Sequence, residues 1–268
     1  MPELPEVYRL ARQMDQHLRG KVISGMEILQ PKCLNVEADF FRAALSGAEF
    51  GPSVCRGKWV LSDTSMGKLA LSLGMGGEVW LVQPSALPEK RRIVLSFQDG
   101  SCLSINFWWF GYLHYIAPGQ DAGHAMTARL GPNALDVDAA QLKSLLTKQR
   151  GGLKTWLLDQ SKIAGIGNAY IHDILFFARL HPLRRIETLT PAEIEALADG
   201  IRRGLLPSLE KGGAFYETDL FGAKGGFEAA DIVIGYRENS PCPTCGTPVE
   251  KIKTGGTSSF ICPACQPL

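Results

Sequence analysis

CPTCGTPVEKIKTGGTSSFICPACQ, residues 242–266, carries four of the seven cysteines of the chain in two Cys-x2-Cys pairs, Cys242/Cys245 and Cys262/Cys265, separated by sixteen residues. Thiolates at this spacing suit tetrahedral zinc. Each pair can sit on a tight turn, and the Ser-Ser-Phe-Ile-Cys run before the second pair reads as the strand of a hairpin. Four thiolates leave no open coordination position, so the site reads as one structural zinc ion. Two disulfides are the competing reading, but nothing in the chain points to an oxidising compartment. Cys33, Cys55 and Cys102 are scattered, and the apolar surroundings of Cys55 and Cys102 are those of buried reduced thiols.

Upstream of this module the pattern is helical: roughly 138–149, 153–159, 169–180 and 191–205, with Pro191 suited to a first turn. Between residues 210 and 230, KGGAFYETDLFGAKGGFEAA combines glycines with aromatics and reads as a mobile loop. The stretch APGQDAGHAMTARLGPNALDVD has the small and turn-forming residues of an interdomain linker. Before it, short β-rich runs (KVISGMEIL, KWVLSD, KLALSL, GEVWLV, RIVLSF, SCLSINF, GYLHYI) alternate with Gly, Asp and Pro. They predict an antiparallel sandwich or barrel. An amphipathic helix precedes it, with Val7, Leu10, Ala11, Met14 and Leu18 on one face. The expected organisation is α+β and multidomain: residues 1–118, a linker over 119–136, a helical domain over 137–232 and the cysteine module over 233–268.

The chain has 268 residues, 45% of them hydrophobic and 21% charged, which is the composition of a soluble globular protein. Net charge is +1 and the sign is not segregated: residues 1–120 hold 12 Lys/Arg against 11 Asp/Glu, leaving 16 against 16. Composition therefore points to no polyanionic partner, and any nucleic-acid surface must be a local patch. No apolar run reaches membrane-spanning length and the N-terminus lacks signal-peptide features, so a cytoplasmic, nucleoid-associated location and no membrane partner are expected.

The N-terminus, MPELPEV, packs two prolines and two carboxylates into six residues. Pro5 and Glu6 suit the first turn of a helix. Pro2 and Glu3 are not explained that way. Removal of Met1 would leave Pro2 as a secondary amine, a compact nucleophile able to attack a sugar carbon and form an iminium ion. Glu3 could then donate a proton to the sugar or leaving group if burial raises its pKa. Met-Pro starts are common, and these residues alone do not establish catalysis.

MPELPEV, Lys58 in CRGKWVLSD, LGMGG at 73–77, KIAGIGNAYIHDILF at 162–176 and CPTCG…FICPACQ together resemble, in order along the whole chain, the formamidopyrimidine-DNA glycosylase / endonuclease VIII (Fpg/Nei) family. The resemblance implies a bifunctional DNA glycosylase/AP lyase of base excision repair, a monomer acting on double-stranded DNA with a damaged base or abasic site. The fold it implies is an N-terminal helix plus β-sandwich, then a helix-two-turn-helix domain and a zinc-finger hairpin. By the same resemblance Pro2 is the nucleophile on the deoxyribose C1′ and Glu3 the acid/base. Glu6 matches a second family glutamate, although its helix-start role suffices. Lys58 matches a β-sandwich lysine that holds a phosphate beside the lesion, the alternative being a lysine snorkelling from a sheet edge. Gly165, Gly167 and Asn168 match the helix-two-turn-helix turn that contacts phosphate. Met75 and Phe110 match residues that fill the void in the duplex. Residues 215–227 resemble the lesion-capping loop.

Departures from the family pattern are as informative. NFWWFG, residues 106–111, stands in place of an Asp-Pro-Arg-Arg-Phe-Gly loop, with Trp108 at the base-reading arginine. An aromatic plane stacks on any base, so wedge-like intercalation with weak opposite-base discrimination is expected. Core packing is the plain alternative for Trp109 and an equal one for Trp108. Thr257 replaces a hairpin arginine and Ser72 a histidine, both phosphate ligands, which predicts a shallower salt dependence. The lesion class stays open between oxidised purine and oxidised pyrimidine, with the lost arginine loop leaning towards endonuclease VIII. A non-catalytic DNA-binding protein on the same fold is the rival reading.

Overall fold

The computed structural model describes residues 1–268. The chain divides into two compact units: residues 1–129 with 211–226, and residues 130–210 with 227–268. The segment 211–226, grouped with the helical domain on sequence, thus belongs to the first unit.

In the first unit α1 (Leu4–Leu18) starts with Pro5 in its first turn and buries Leu4, Val7, Leu10, Ala11, Met14 and Leu18 along one stripe. Two four-stranded antiparallel sheets follow. One has the order β1-β6-β7-β5, formed by Ile23–Ile28, Ile93–Phe97, Cys102–Asn106 and Glu78–Val82. The other has the order β2-β3-β4-β8, formed by Phe50–Arg56, Trp59–Thr64, Gly67–Ser72 and Tyr112–Ile116. Leu18, Ile23, Phe50, Leu71, Leu95, Leu103, Ile105, Phe107 and Leu113 share one core, which fixes each strand's register by burying alternate side chains.

Two elements escaped the sequence reading. Strand β2 contains Gly51-Pro52, which reads as a breaker; Pro52 falls where the β2–β3 ladder shifts register between Phe50 and Ser53. A missing N–H is tolerated there. Helix α2 (Ala38–Leu45) has eight residues and buries only Phe41 and Leu45, too little periodicity to register.

The second unit holds α3 (Ala139–Leu146), α4 (Leu153–Leu158), α5 (Ile171–Phe177) and α6 (Pro191–Glu210). Asp138 caps α3, accepting the Gln141 N–H at 2.7 Å while the Gln141 side chain accepts the Asp138 N–H at 2.9 Å. Helix α6 runs past the expected end at 205 to Glu210, with Pro207 inside it. Strands β9 (Glu250–Thr254) and β10 (Thr257–Ile261) pair antiparallel across Gly255-Gly256. No helix is long and apolar enough to cross a membrane.

Candidate functional site

Pro2 and Glu3 are both buried at the entrance to α1. Glu6 holds that entrance: its Oε2 accepts the Glu3 N–H at 2.9 Å and its Oε1 accepts the Ala214 N–H at 3.0 Å. Gly213, at φ +92°, lies so close that a Cβ would sit 3.0 Å from Glu6 Cγ. At this φ and this separation any side chain would be strained, so glycine suits the close approach of residues 211–226.

That segment is tied down rather than loose. The Arg9 guanidinium donates to Gly212 O at 2.6 Å and to Asp219 at 2.5 Å. Gln13 donates to Asp219 at 2.9 Å and accepts the Leu220 N–H at 3.0 Å. Leu81 on β5 donates to Leu220 O at 2.8 Å, and Leu220 is fully buried. The expected mobile loop is therefore hydrogen-bonded to α1 and β5, through an Arg9–Asp219 match that compositional reading cannot see.

The same segment brings a carboxylate that sequence reasoning missed. Glu217 places Oε1 3.4 Å from the Met1 amino nitrogen, with 11% of its side chain exposed. Burial pushes its carboxyl up to about 7; the amino terminus opposes the shift, and the charges of Glu6 and Glu3 add to it. Three shielded carboxylates thus lie around an amino terminus that itself reaches solvent on the exposed Met1, an arrangement able to hold and move protons beside a nucleophile.

Lys58 occupies the Gly57-Lys58 turn between β2 and β3, half-buried, rather than a strand position. Ser72 ends β4 opposite Tyr112 and is buried, which leaves its hydroxyl little access to a phosphate. Met75 and Trp109 exchange backbone hydrogen bonds of 2.8 and 3.3 Å, locking their two loops together. Trp108 is 72% exposed, and Met75, Trp109 and Phe110 are exposed beside it, whereas Phe107 is the member that packs into the core. Core packing is thereby excluded for both tryptophans. Four adjacent apolar side chains left in solvent mark an interaction surface. An open cleft of ≈ 430 Å³ runs along this loop, with Lys32 and Arg92 in its lining.

In the second unit GIGNAY precedes α5. Gly165, at φ +103°, gives its N–H to Gln160 Oε1 at 2.9 Å, so this amide faces inward instead of towards a phosphate. Asn168 donates to the Tyr236 hydroxyl at 3.2 Å, while Tyr236 donates to Asn168 O at 3.0 Å. Asn168 Oδ1 is buried without a partner. Gly167 is buried, and its carbonyl accepts the Ile171 N–H at 3.2 Å.

Thr257 opens β10, and its hydroxyl accepts from Lys154 Nζ at 3.1 Å. Lys154 also donates to Thr254 Oγ1 at 3.2 Å, Ser258 O at 2.6 Å and Ser259 Oγ at 2.8 Å. Burial lowers its pKa to about 8. A lone lysine among the apolar residues of α4 was the available signal for this contact. At the other end of the hairpin the four cysteine sulfurs lie within 4.8 Å of one another. Separations of 3.8 Å for Cys242–Cys265, 3.4 Å for Cys245–Cys262 and 3.5 Å for Cys245–Cys265 approach the ~3.8 Å edge of a tetrahedron built on Zn–S bonds of ~2.3 Å. The donor set fits zinc.

Residues 1–106 match the family model described as the formamidopyrimidine-DNA glycosylase N-terminal domain, residues 130–219 the H2TH domain of the same enzyme, and residues 239–268 the zinc finger found in FPG and IleRS. The formamidopyrimidine-DNA glycosylase of Symbiobacterium thermophilum is 34% identical over 274 residues, covering 100% of this chain and 90% of that protein. That of a Synechococcus species is 34% identical over 281 residues, covering 100% and 99%. A solved complex of wild-type Lactococcus lactis Fpg (MutM) with an N7-benzyl-Fapy-dG-containing DNA superposes with a TM-score of 0.90 at 26% identity over 100% of both chains. A complex of the Lactococcus lactis Fpg with abasic-site DNA gives 0.88 at 26% identity over 99% of this chain and 100% of that one.

Proposed function

Because the chain belongs to the formamidopyrimidine-DNA glycosylase / endonuclease VIII (Fpg/Nei) family of DNA glycosylases, we propose that it excises an oxidised base from double-stranded DNA and then cleaves the strand at the abasic site. The observation that carries this reading is the N-terminal turn, where Pro2 and Glu3 are buried beside Glu6.

With Met1 removed, the Pro2 nitrogen attacks the deoxyribose C1′ as the glycosidic bond breaks, and the base leaves with the electron pair. Glu3 supplies a proton to the sugar or leaving group. Opening of the sugar gives an iminium ion, an electron sink that allows a C2′ proton to be lost and the 3′ phosphate to be eliminated. Glu6 organises this turn through its two backbone contacts. Lys58, from its turn, and Asn168 serve the DNA backbone, and the exposed Met75, Trp108 and Phe110 enter the space left by the flipped nucleotide. One zinc ion held by Cys242, Cys245, Cys262 and Cys265 stabilises the hairpin.

Borohydride trapping on an abasic duplex tests the reading. The expected result is a covalent adduct that peptide mass spectrometry places on Pro2, together with release and nicking on a panel of single-lesion duplexes. Full lyase turnover with Met1 retained would overturn the mechanism. Binding to abasic DNA without trapping by correctly processed protein would favour the non-catalytic rival.

A further inference from the structure

The Glu217 carboxylate lies 3.4 Å from the Met1 nitrogen, and it comes from a segment more than two hundred residues away. Its backbone is held: the Glu217 N–H donates to Ala214 O at 3.0 Å, and Gly225 donates to Glu217 O at 3.2 Å. On either side, the Trp80 indole donates to the Thr218 hydroxyl at 3.2 Å, and Asp219 is fixed by Arg9 and Gln13. Arg9, the neighbouring cation of α1, is occupied by Gly212 O and Asp219. The charged groups facing Glu217 are then Glu3, Glu6 and the amino terminus, and of these only the amine attracts it.

Loss of Met1 moves the free amine one residue along, a Cα step of ~3.8 Å. Burial and the like charges of Glu3 and Glu6 favour the protonated form of Glu217. In the mature chain the carboxyl, 3.4 Å from the present amino terminus, therefore stays ionised near neutral pH where the new ammonium takes it up. We propose that Glu217 is a positioning residue for the nucleophile: its carboxylate holds the Pro2 ammonium of the mature chain as counter-ion and so sets both the direction of the nitrogen and the pH at which it loses its proton. This rests on the reading that the mature chain begins with Pro2 as the reactive amine.

The test uses full-length mature protein without DNA, labelled with 15N-proline and 13C-glutamate, its N-terminus verified by mass. Titration of the Pro2 nitrogen is compared in wild type, Glu217→Gln and Glu217→Asp. An anion beside an ammonium raises its pKa, so the amine midpoint in Glu217→Gln should fall by ~1 unit or more while Glu217→Asp keeps most of the wild-type value. In wild type, and not in Glu217→Gln, the 15N signal should show a second inflection at the midpoint of the Glu217 carboxyl. A single inflection in wild type, or equal midpoints in wild type and a folded Glu217→Gln, overturns the proposal. Borohydride trapping is scored separately. Trapped wild type with an unshifted amine removes only the Glu217 role, and a shifted amine without trapping removes the lyase reading while the ion pair stands.

Discussion

Glu6 joins the first turn of α1 to Ala214, 208 residues further along the chain, by a 3.0 Å hydrogen bond from the Ala214 N–H. Its second oxygen is committed to the Glu3 N–H at 2.9 Å, so this carboxylate acts as a bracket between the residue that follows Pro2 and the 211–226 segment. Glutamine offers one acceptor oxygen where glutamate offers two. Glu6→Gln should therefore strand one buried N–H, costing about 1–3 kcal/mol of stability, and should slow the lyase reaction at the same time. Thermal unfolding and single-turnover nicking measured on the same preparations check this. A large rate loss with unchanged stability would instead put Glu6 in the chemistry.

The exposed rim of Met75, Trp108, Trp109 and Phe110 makes no contribution to the core, so Trp108→Ala should change folding stability by less than about 0.5 kcal/mol. Affinity for an abasic duplex should nevertheless fall by about 1–3 kcal/mol, the usual value of one aromatic stack on a base. Wild type should also bind duplexes with each of the four opposing bases within the ~10-fold that a single bidentate contact provides. Fluorescence anisotropy at fixed salt measures both. A strong preference for one opposing base would mean that a polar side chain, not the tryptophan plane, reads it.

The sequence was most legible where a residue's chemistry is local. Cysteine spacing alone led to four sulfurs within 4.8 Å, and alternating apolar runs led to every strand of the two four-stranded sheets except β2. What stayed hidden depends on partners distant along the chain. Asp219 is unremarkable until Arg9 reaches it, and Glu217 until the amino terminus does. Lys154 reads as a misplaced charge in a short helix until four oxygens of the hairpin surround it. Trp108 and Trp109 are adjacent aromatics whose exposure no periodicity could decide, because the turn that turns them outward is made by the Met75–Trp109 backbone pair.

A histidine pair in the first unit should make the protein sensitive to mild acid. His114 Nδ1 lies 2.9 Å from His124 Nε2, and His124 Nδ1 lies 2.6 Å from the Thr127 hydroxyl. Burial pushes His114 down to about 4, with the neighbouring His124 adding to the shift, and burial also lowers His124. In the unfolded chain His114 takes up a proton near pH 6.5, whereas in the folded protein it stays neutral until about 4. Stability from this source is thus complete above pH 6.5 and is lost as pH falls towards 4, by at most about 3 kcal/mol. Urea midpoints at pH 7.5 and 5 should differ in wild type and differ less in His114→Phe, the remainder coming from His124 and from His172, which burial pushes down to about 3. A wild-type midpoint independent of pH in this window would contradict the assignment.

Lys154 and the cysteine cluster hold opposite ends of the same hairpin, so they can be uncoupled. The ammonium supports the tip, donating to oxygens of Thr254, Thr257, Ser258 and Ser259, while Cys242, Cys245, Cys262 and Cys265 gather at the base. Lys154→Met keeps the stem's bulk but removes the donor to these acceptors, a loss of about 1–3 kcal/mol, held to that range because the Thr254, Thr257 and Ser259 oxygens also hydrogen-bond within the hairpin. The variant should retain one zinc per chain by elemental analysis, since no sulfur loses a neighbour. Amide exchange at residues 254–259 should accelerate, and duplex binding should weaken because Thr257 is no longer held in place. Chelation of the metal should act from the other end, loosening the base first and then the whole of β9 and β10. If Lys154→Met lost its zinc as readily as a Cys262→Ser variant, the hairpin would be a single cooperative unit and the tip would have no separate support.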